Sequence, residues 1–387
     1  MIKKILSNRR VLLSSLMAIG GIGALAGLFI RREKSSESEG EKMANVILKT
    51  FPLGFQWPVQ EPFLFCVHHH DLYPKGTAAY GPESIHLQGR DMGQDFEGKD
   101  GFRMYHGMEV PGFPVHPHRG FETVTVVRQG YVDHADSLGA AGRYGEGDVQ
   151  WMTAGSGVQH SEMFPLLKKD DANTLELFQI WLNLPRKHKM SKAYFKMLWS
   201  EEIPKLSFDS SRVSVSLIAG DLGAEGAKAV APPPESWAAD PANEVAILLV
   251  KMAKDGTIKI PRSKGPAGRM LYFFEGSEIT VNGQKVGGQT GLQLDSQQDL
   301  ELTSPSGATE VLMLQAKSIG EPVVQHGPFV MNTKEEIVQT FADYRRSEFG
   351  GWPWPRHDMV HGPTIERFAK YPDGKIEKRA APGTKKA

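Results

Sequence analysis

The chain has 387 residues, with 45 basic and 45 acidic side chains, 40% hydrophobic residues and a single cysteine. This composition is that of a folded protein and excludes an intrinsically disordered chain. The net charge of zero at pH 7 argues against nucleic-acid binding through phosphate neutralisation. The single cysteine, Cys66, excludes an intramolecular disulfide and a cysteine-rich zinc site.

The first segment, residues 1–43, is predicted to be a signal or membrane anchor followed by a tether. Its apolar core, Val11 to Ile30, contains twenty uncharged residues, which as a helix span about 30 Å, the thickness of a bilayer core. The Arg9-Arg10 pair before this core resembles a twin-arginine export signal, with Ala24 to Ala26 as the candidate cleavage site. The apolar run continues past this site, which favours an uncleaved anchor. We therefore expect a membrane-anchored or exported protein, and the alternative is an organelle-targeted protein from which the segment is cleaved.

Two successive β-rich regions follow, at residues 44–185 and 186–330. Both alternate short β-rich runs with glycine-containing turns and lack a sustained helical period. Strands of the first region are predicted at Phe121 to Val127, Tyr131 to Ala135, Val149 to Thr153, Val158 to Met163 and Leu175 to Leu184. Strands of the second are predicted at Val213 to Ile218, Val245 to Lys251, Thr257 to Ile260, Met270 to Phe274, Glu278 to Val281, Leu300 to Thr303 and Val311 to Gln315. The repeated rhythm predicts an all-β protein with a duplicated barrel or sandwich.

Two other segments interrupt or end the β pattern. Ala229 to Asn243 is rich in alanine and proline and is predicted to be a surface insertion in the second region. Residues 331–387 are predicted to form a C-terminal helix and a tail. The helix begins after Thr333 because its hydroxyl and the Glu336 carboxylate can bond each other's free backbone amides as a capping box, and it ends at about Ser347. The rest of this segment is predicted to be an extended tail.

The histidines indicate where the chemistry lies, because nine of the thirteen fall between residues 68 and 160. His116 and His118 occupy alternate positions of an extended segment, as do His160 and Glu162, so each pair faces one side of its strand. If both pairs face inward from neighbouring strands, three imidazoles and one carboxylate meet around a point with positions left open. Such a site suits a redox-active metal, Fe(II), Mn, Co, Ni or Cu, better than a closed structural zinc ion.

Three runs resemble the pirin family of two-barrel cupins: His116 to Thr125 (HPHRGFETVT), Gly147 to Met163 (GDVQWMTAGSGVQHSEM) and Gln325 to Thr333 (QHGPFVMNT). The resemblance extends over about residues 55 to 350. It implies an all-β fold of two tandem cupin barrels, of the jelly-roll or double-stranded β-helix type, with a C-terminal helix and, here, a preceding N-terminal hydrophobic helix. It also implies that the C-terminal barrel has lost its metal and that the N-terminal barrel binds iron through His116, His118, His160 and Glu162.

Other residues near these motifs are not included in the ligand set. Following the pirin pattern, Glu122 is expected to orient a histidine, although the wider cupin pattern uses it as a ligand. The run His68 to Asp71 is predicted to be a polar loop and is left out of the ligand set. Trp151 is predicted to be a core residue and Cys66 a buried thiol. Arg119 either anchors an anionic ligand or forms an ion pair with a nearby carboxylate.

The resemblance implies two alternative functions. Pirins are associated with quercetin 2,3-dioxygenase activity, in which a flavonol binds the metal through its hydroxyl and ketone oxygens and reacts with dioxygen. The partners would then be a small aromatic substrate and dioxygen, and Glu162, on swinging off the metal, would act as the catalytic base that takes the hydroxyl proton. The alternative is a metal-dependent redox sensor or regulatory binding protein without turnover. A cupin-type sugar isomerase is disfavoured because the ligand set does not favour zinc.

Overall fold

The computed structural model describes residues 45–223 and 228–381, and the described residues contain 24 strands and one α-helix. The first twelve strands are β1 Ile47–Pro52, β2 Phe63–Tyr73, β3 Gly112–His118, β4 Phe121–Gln129, β5 Tyr131–Asp136, β6 Ala141–Gly145, β7 Val149–Thr153, β8 Val158–Met163, β9 Asn173–Asn183, β10 Tyr194–Leu198, β11 Lys205–Phe208 and β12 Val213–Ala219. They are followed by β13 Ala246–Met252, β14 Thr257–Ile260, β15 Gly268–Glu275, β16 Glu278–Val281, β17 Gln284–Gly287, β18 Thr290–Asp295, β19 Leu300–Thr303, β20 Thr309–Ala316, β21 Val324–His326, β22 Phe329–Met331, α1 Lys334–Ser347, β23 Arg367–Lys370 and β24 Ile376–Arg379. Short 3₁₀ turns lie at Ser84–Leu87, Lys99–Gly101, Arg186–His188, Trp237–Ala239, Pro241–Asn243 and Glu348–Gly350.

All the strands except the β21-β22 hairpin form two β-barrels, each built from two antiparallel sheets. The first barrel combines a five-stranded sheet, in the order β10-β7-β4-β9-β2, with a six-stranded sheet, β24-β23-β6-β5-β8-β3. The second combines a seven-stranded sheet, β1-β18-β15-β20-β13-β12-β11, with a four-stranded sheet, β14-β19-β16-β17. The prediction of an all-β protein with a duplicated barrel and a C-terminal helix is therefore confirmed. The capping box of Thr333 and Glu336 is present at the start of α1, also as predicted.

Three apolar clusters form the cores of the two barrels and the contact between them. One fills the second barrel around residues such as Leu248 and Leu292, and another fills the first barrel around Tyr144 and Phe195. The third lies between the barrels, where alternate residues of β4 pack with apolar side chains of β15 and β20. Because β4 is covered on both faces, residues of one parity face the first barrel's interior and those of the other face the second barrel.

The barrels exchange strands in a way that the chain order did not predict. Strand β1 pairs with β18 in the second barrel, and β10 pairs with β7 in the first. Strand β23, within the predicted extended tail, pairs with β6 of the first barrel and is followed by its hairpin partner β24. The division at residue 185 therefore does not separate the two barrels completely, and the tail prediction is wrong for these two strands. Strand β23 supplies backbone donors and acceptors to the edge of β6, which would otherwise be unpaired.

Two smaller predictions are also corrected. The run from His68 to Asp71 is not a loop, because β2 continues through it and pairs with β9 as far as Tyr73. The segment containing Ser236 is not only a surface insertion, because this serine is buried and its hydroxyl donates to Glu122 Oε2 in the first barrel at 2.5 Å.

The predicted membrane segment, Val11 to Ile30, lies outside the described residues. Within residues 45–223 and 228–381, no helix is both long and apolar enough to cross a bilayer.

Candidate metal centre

Strands β3 and β8 bring the predicted histidines together. The antiparallel register pairs Phe113 with Glu162 and His116 with His160. A β-bulge lies between these two pairs, because they are separated by two residues of β3 but by only one residue of β8. A bulge bends its strand and redirects the side chains that follow. The result is a cluster of His116, His118 and His160 in which one ring nitrogen from each lies within 4.8 Å of the others. Three imidazoles at this separation can bind one metal ion.

Burial keeps these three imidazoles neutral. Desolvation lowers the pKa of His116 to about 4 and places the pKa values of His118 and His160 well below their ordinary value. Neighbouring imidazoles lower them further, since a second positive charge would be repelled. The neutral imidazole is the form that binds a metal ion. The cluster is therefore ready for metal binding at neutral pH.

The hydrogen bonds of the cluster leave ring nitrogens free for a ligand. His116 Nδ1 donates to the carbonyl oxygen of Pro114 at 2.9 Å, so that its Nε2 carries the lone pair. His118 Nδ1 and both ring nitrogens of His160 are buried without a hydrogen-bond partner. Buried polar atoms are rarely left unpaired, and an ion is one way to satisfy them. The residues present thus fit a metal ion.

The Glu162 carboxyl lies beside the cluster but is held by other groups. Its Oε2 is 3.7 Å from His160 Nε2. Thr125 Oγ1 donates to Oε1 at 3.1 Å, and Gln179 Nε2 donates to Oε2 at 3.2 Å. Burial raises the pKa of Glu162 to about 7, and the neighbouring His134 and these two hydrogen bonds oppose the rise. The sequence reasoning missed Thr125 and Gln179, although a lone glutamine in the apolar strand β9 was a signal.

A fourth histidine adjoins the cluster and was not predicted from the sequence. His134 on β5 lies opposite Glu162 in the sheet, and its ring centre is 5.4 Å from that of His160. His134 is fully buried and stacks on Phe195, with ring centres 5.0 Å apart. Its Nε2 lies 3.3 Å from Asp136 Oδ2, whose carboxylate also accepts two turn amides through Oδ1. The alternation of β5, which points His134 and Asp136 to one face, could have revealed this pair.

Glu122 does not have the role that was expected for it. It lies on the face of β4 that is directed away from Thr123 and Thr125 and toward the second barrel. Its carboxylate accepts hydrogen bonds from Thr153 Oγ1 at 2.6 Å and Ser236 Oγ at 2.5 Å, and from no histidine. Burial raises the pKa of Glu122 to about 7. The prediction that it orients a histidine is therefore wrong, because strand alternation places it between the barrels.

The surroundings of the cluster are aromatic. His118 packs edge-on against Phe121 and Trp181, with ring centres 5.0 and 5.4 Å away, and Phe113 lies 6.3 Å from His116. The predicted core positions Trp151 and Cys66 are both fully buried. Burial also raises the pKa of the Cys66 thiol, which keeps it protonated.

Arg119, next to His118, is engaged by the C-terminal helix. Its Nη1 lies 2.9 Å from Asp343 Oδ2 on α1, and its guanidinium lies over the ring of Phe349. Of the two alternatives drawn from the sequence, the structure contains the ion pair. The end of β3, which carries His118, is thereby connected to α1.

Comparisons with known proteins agree with this geometry. A family model described as Pirin matches residues 83–182, and one described as Pirin C-terminal cupin domain matches residues 247–350. The Pseudomonas aeruginosa protein named "Putative quercetin 2,3-dioxygenase PA3240" is 38% identical over 61% of this chain and 79% of its own length. Pirin-1 of Arabidopsis thaliana is 34% identical over 62% of this chain and 78% of its own length. The crystal structure of quercetin 2,3-dioxygenase from Acinetobacter baumannii superposes with a TM-score of 0.62 at 26% identity, covering 79% of this chain and 98% of that chain.

The two family models match the two barrels in order along the chain. The first match contains the three clustered histidines and Glu162, and the second ends just after α1. The relatives extend this similarity over most of their own length. The chain therefore belongs to the pirin family of two-barrel cupins.

Proposed function

We propose that this chain is a metal-dependent dioxygenase that acts on a flavonol such as quercetin or on a similar enolic aromatic. The observation that carries the proposal is the cluster of three neutral imidazoles beside the Glu162 carboxyl, in which His116 is half-buried and His118 and His160 are buried with unpartnered ring nitrogens. The similarity to proteins named as quercetin dioxygenases supports the choice of reaction.

The proposed ligands are His116, His118, His160 and Glu162, and the proposed metal is Fe(II), with Mn, Co, Ni and Cu as the alternatives. Nitrogen-rich ligation with one carboxylate and open positions suits these metals. Bound there, the metal would supply a Lewis acid that lowers the pKa of a coordinated hydroxyl and a redox centre for reaction with dioxygen.

The protein's own groups would hold the substrate proton and exclude water. Glu162, once it leaves the metal, would take the proton of the flavonol hydroxyl, and Thr125 and Gln179 support this role because they hold its carboxylate from the barrel interior. Phe113 and Trp181 beside the histidines would shield the reacting atoms from solvent.

The proposal is tested by measuring oxygen uptake with quercetin in the Fe(II)-loaded protein, with bound metal quantified in the same sample. Turnover that is lost in Glu162→Gln and kept in Glu301→Gln, a partly exposed position on β19 of the second barrel, is the expected result. One metal per chain without oxygen uptake would refute the dioxygenase and favour the sensor. If the protein binds no metal after treatment with Fe(II), both the dioxygenase and the metal-dependent sensor are refuted.

We further propose that Val11 to Ile30 anchors the protein in a membrane or directs its export. The support is the length and apolar character of this run and the arginine pair before it.

A further inference from the structure

The segment between the 3₁₀ turn after α1 and strand β23, residues 351–364, lies beyond the residues matched by the family models. It contacts β3, β8, β5 and β6 of the six-stranded sheet that carries His116, His118 and His160. We refer to residues 351–364 as the strap. At its start, Gln159 Nε2 on β8 donates to the carbonyl oxygen of Gly351 at 3.1 Å, and at its end Arg143 on β6 donates to the carbonyl oxygen of Thr364.

The strap contacts strand β3 at the edge of the six-stranded sheet. Strand β3 is the outermost strand, so its outer backbone groups have no neighbouring strand. The amide of Val115, inside the bulge and directly before His116, donates to the carbonyl oxygen of His357 in the strap at 2.8 Å. The strap thus supplies the backbone partner of the residue that precedes a clustered histidine.

Two further residues of the strap contact strand β5. Trp354 Nε1 donates to the carbonyl oxygen of Asp136 at 2.7 Å, and His361 Nε2 donates to the carbonyl oxygen of His134 at 2.7 Å. The backbone amide of His361 also donates to Asp133 Oδ2 at 2.8 Å. These contacts hold the backbone of the two residues whose side chains form the pair behind His160 and Glu162.

The three contacts share a target, because each falls on or beside a residue of the histidine cluster or of the pair behind it. We propose that the strap positions the metal centre from outside the barrel, with Trp354, His357 and His361 as positioning residues that set its metal affinity. The inference rests on the proposed metal centre. Groups that orient metal ligands typically change metal affinity by about 10–100-fold when they are removed.

The strap is suited to this task by its chemistry. Pro353 and Pro355 flank Trp354, and their rings restrict the backbone around the indole. A rigid donor at a defined distance limits the movement of the strand that it contacts, and a small displacement of β3 or β5 would change the spacing of the imidazoles.

The test compares Trp354→Phe with Trp352→Phe in the full chain. Both substitutions remove an indole donor, but Trp352 Nε1 donates only within the strap, to the carbonyl oxygen of Arg356 at 2.7 Å. The affinity and absorption spectrum of bound Co(II) are measured together with hydrogen exchange of residues 131–136. For Trp354→Phe we expect affinity about tenfold lower, a changed spectrum and faster exchange, whereas Trp352→Phe should match the wild type.

A second pair of variants separates the hydrogen bond from packing. His361→Gln keeps a donor near the position of Nε2 and should retain the wild-type Co(II) affinity. His361→Leu removes the donor, and its Co(II) affinity should be lower. Equal affinity, spectra and exchange in Trp354→Phe and Trp352→Phe would overturn the inference.

Failure of the underlying metal centre would look different from failure of the strap. In that case the wild type would bind no Co(II). If residues 131–136 then exchange faster in Trp354→Phe but not in Trp352→Phe, positioning of the histidine cluster by the strap is upheld. If the two variants exchange at the same rate, it is overturned.

Discussion

Glu122→Gln tests the assignment of a buried, protonated carboxyl between the two barrels. Glu122 is completely buried, and its carboxyl group accepts hydrogen bonds from the hydroxyls of Thr153 and Ser236, neither of which is a cation. Burial without a compensating positive charge favours the neutral acid. A glutamine has nearly the same shape, can bond both hydroxyls and cannot ionise.

The expected magnitude follows from the pKa of the carboxyl. Burial raises this pKa from 4.5 to about 7, and one pKa unit corresponds to 1.36 kcal/mol, so the full effect is about 3 kcal/mol. Between these two pH values the folded state keeps a proton that the unfolded state releases. Stability attributable to Glu122 therefore falls as the pH rises from 4.5 to about 7 and changes little above that.

The assay is urea unfolding at pH 5 and pH 8. Relative to the wild type, Glu122→Gln should raise the free energy of unfolding by about 3 kcal/mol at pH 8 and by less than about 1 kcal/mol at pH 5. Glu97→Gln, at an exposed position of the same barrel, is the control and should show no such dependence. The same stability difference at both pH values would refute the protonated carboxyl.

Three further predictions concern other parts of the chain. Asp343→Asn removes the anionic partner of buried Arg119 and should cost about 1–3 kcal/mol in urea unfolding; an unchanged value would show that this pair does not hold α1. Lys189→Met should cost about 2–3 kcal/mol in the same assay, because its Nζ donates to three oxygens, those of Gly120, Asn183 and Val330; a neutral effect would refute that role. The full chain should remain with membranes after alkaline carbonate extraction, whereas a chain beginning at Met43 should be released, and release of both would refute the anchor.

Much of the first barrel was predictable because its signals are local. Strand alternation places residues two apart on one face, and this was enough to group His116 with His118 and His160 with Glu162. The capping box at Thr333 depends only on residues within one helical turn. Both kinds of pattern are complete within a few residues, so no knowledge of distant neighbours was needed.

The partners of the edge strands were not predictable in the same way. Strands β1, β10 and β23 each have an ordinary short β pattern, which carries no information about the edge that they join. Each of these strands pairs with an unpaired edge that exists only in the assembled barrels. Strand β1 joins the second barrel, and β10 and β23 join the first.

By itself, the sequence determined the all-β class, the duplicated arrangement and the three histidines that cluster in the first barrel, because these depend on periodicity and side-chain chemistry. Only the tertiary structure decided that Glu122 faces the second barrel, that His134 adjoins the cluster and that the strap contacts the backbone beside His116. These features arise from register, a bulge and pairing between residues far apart in the chain. They are settled by packing of complete sheets, which no local pattern encodes.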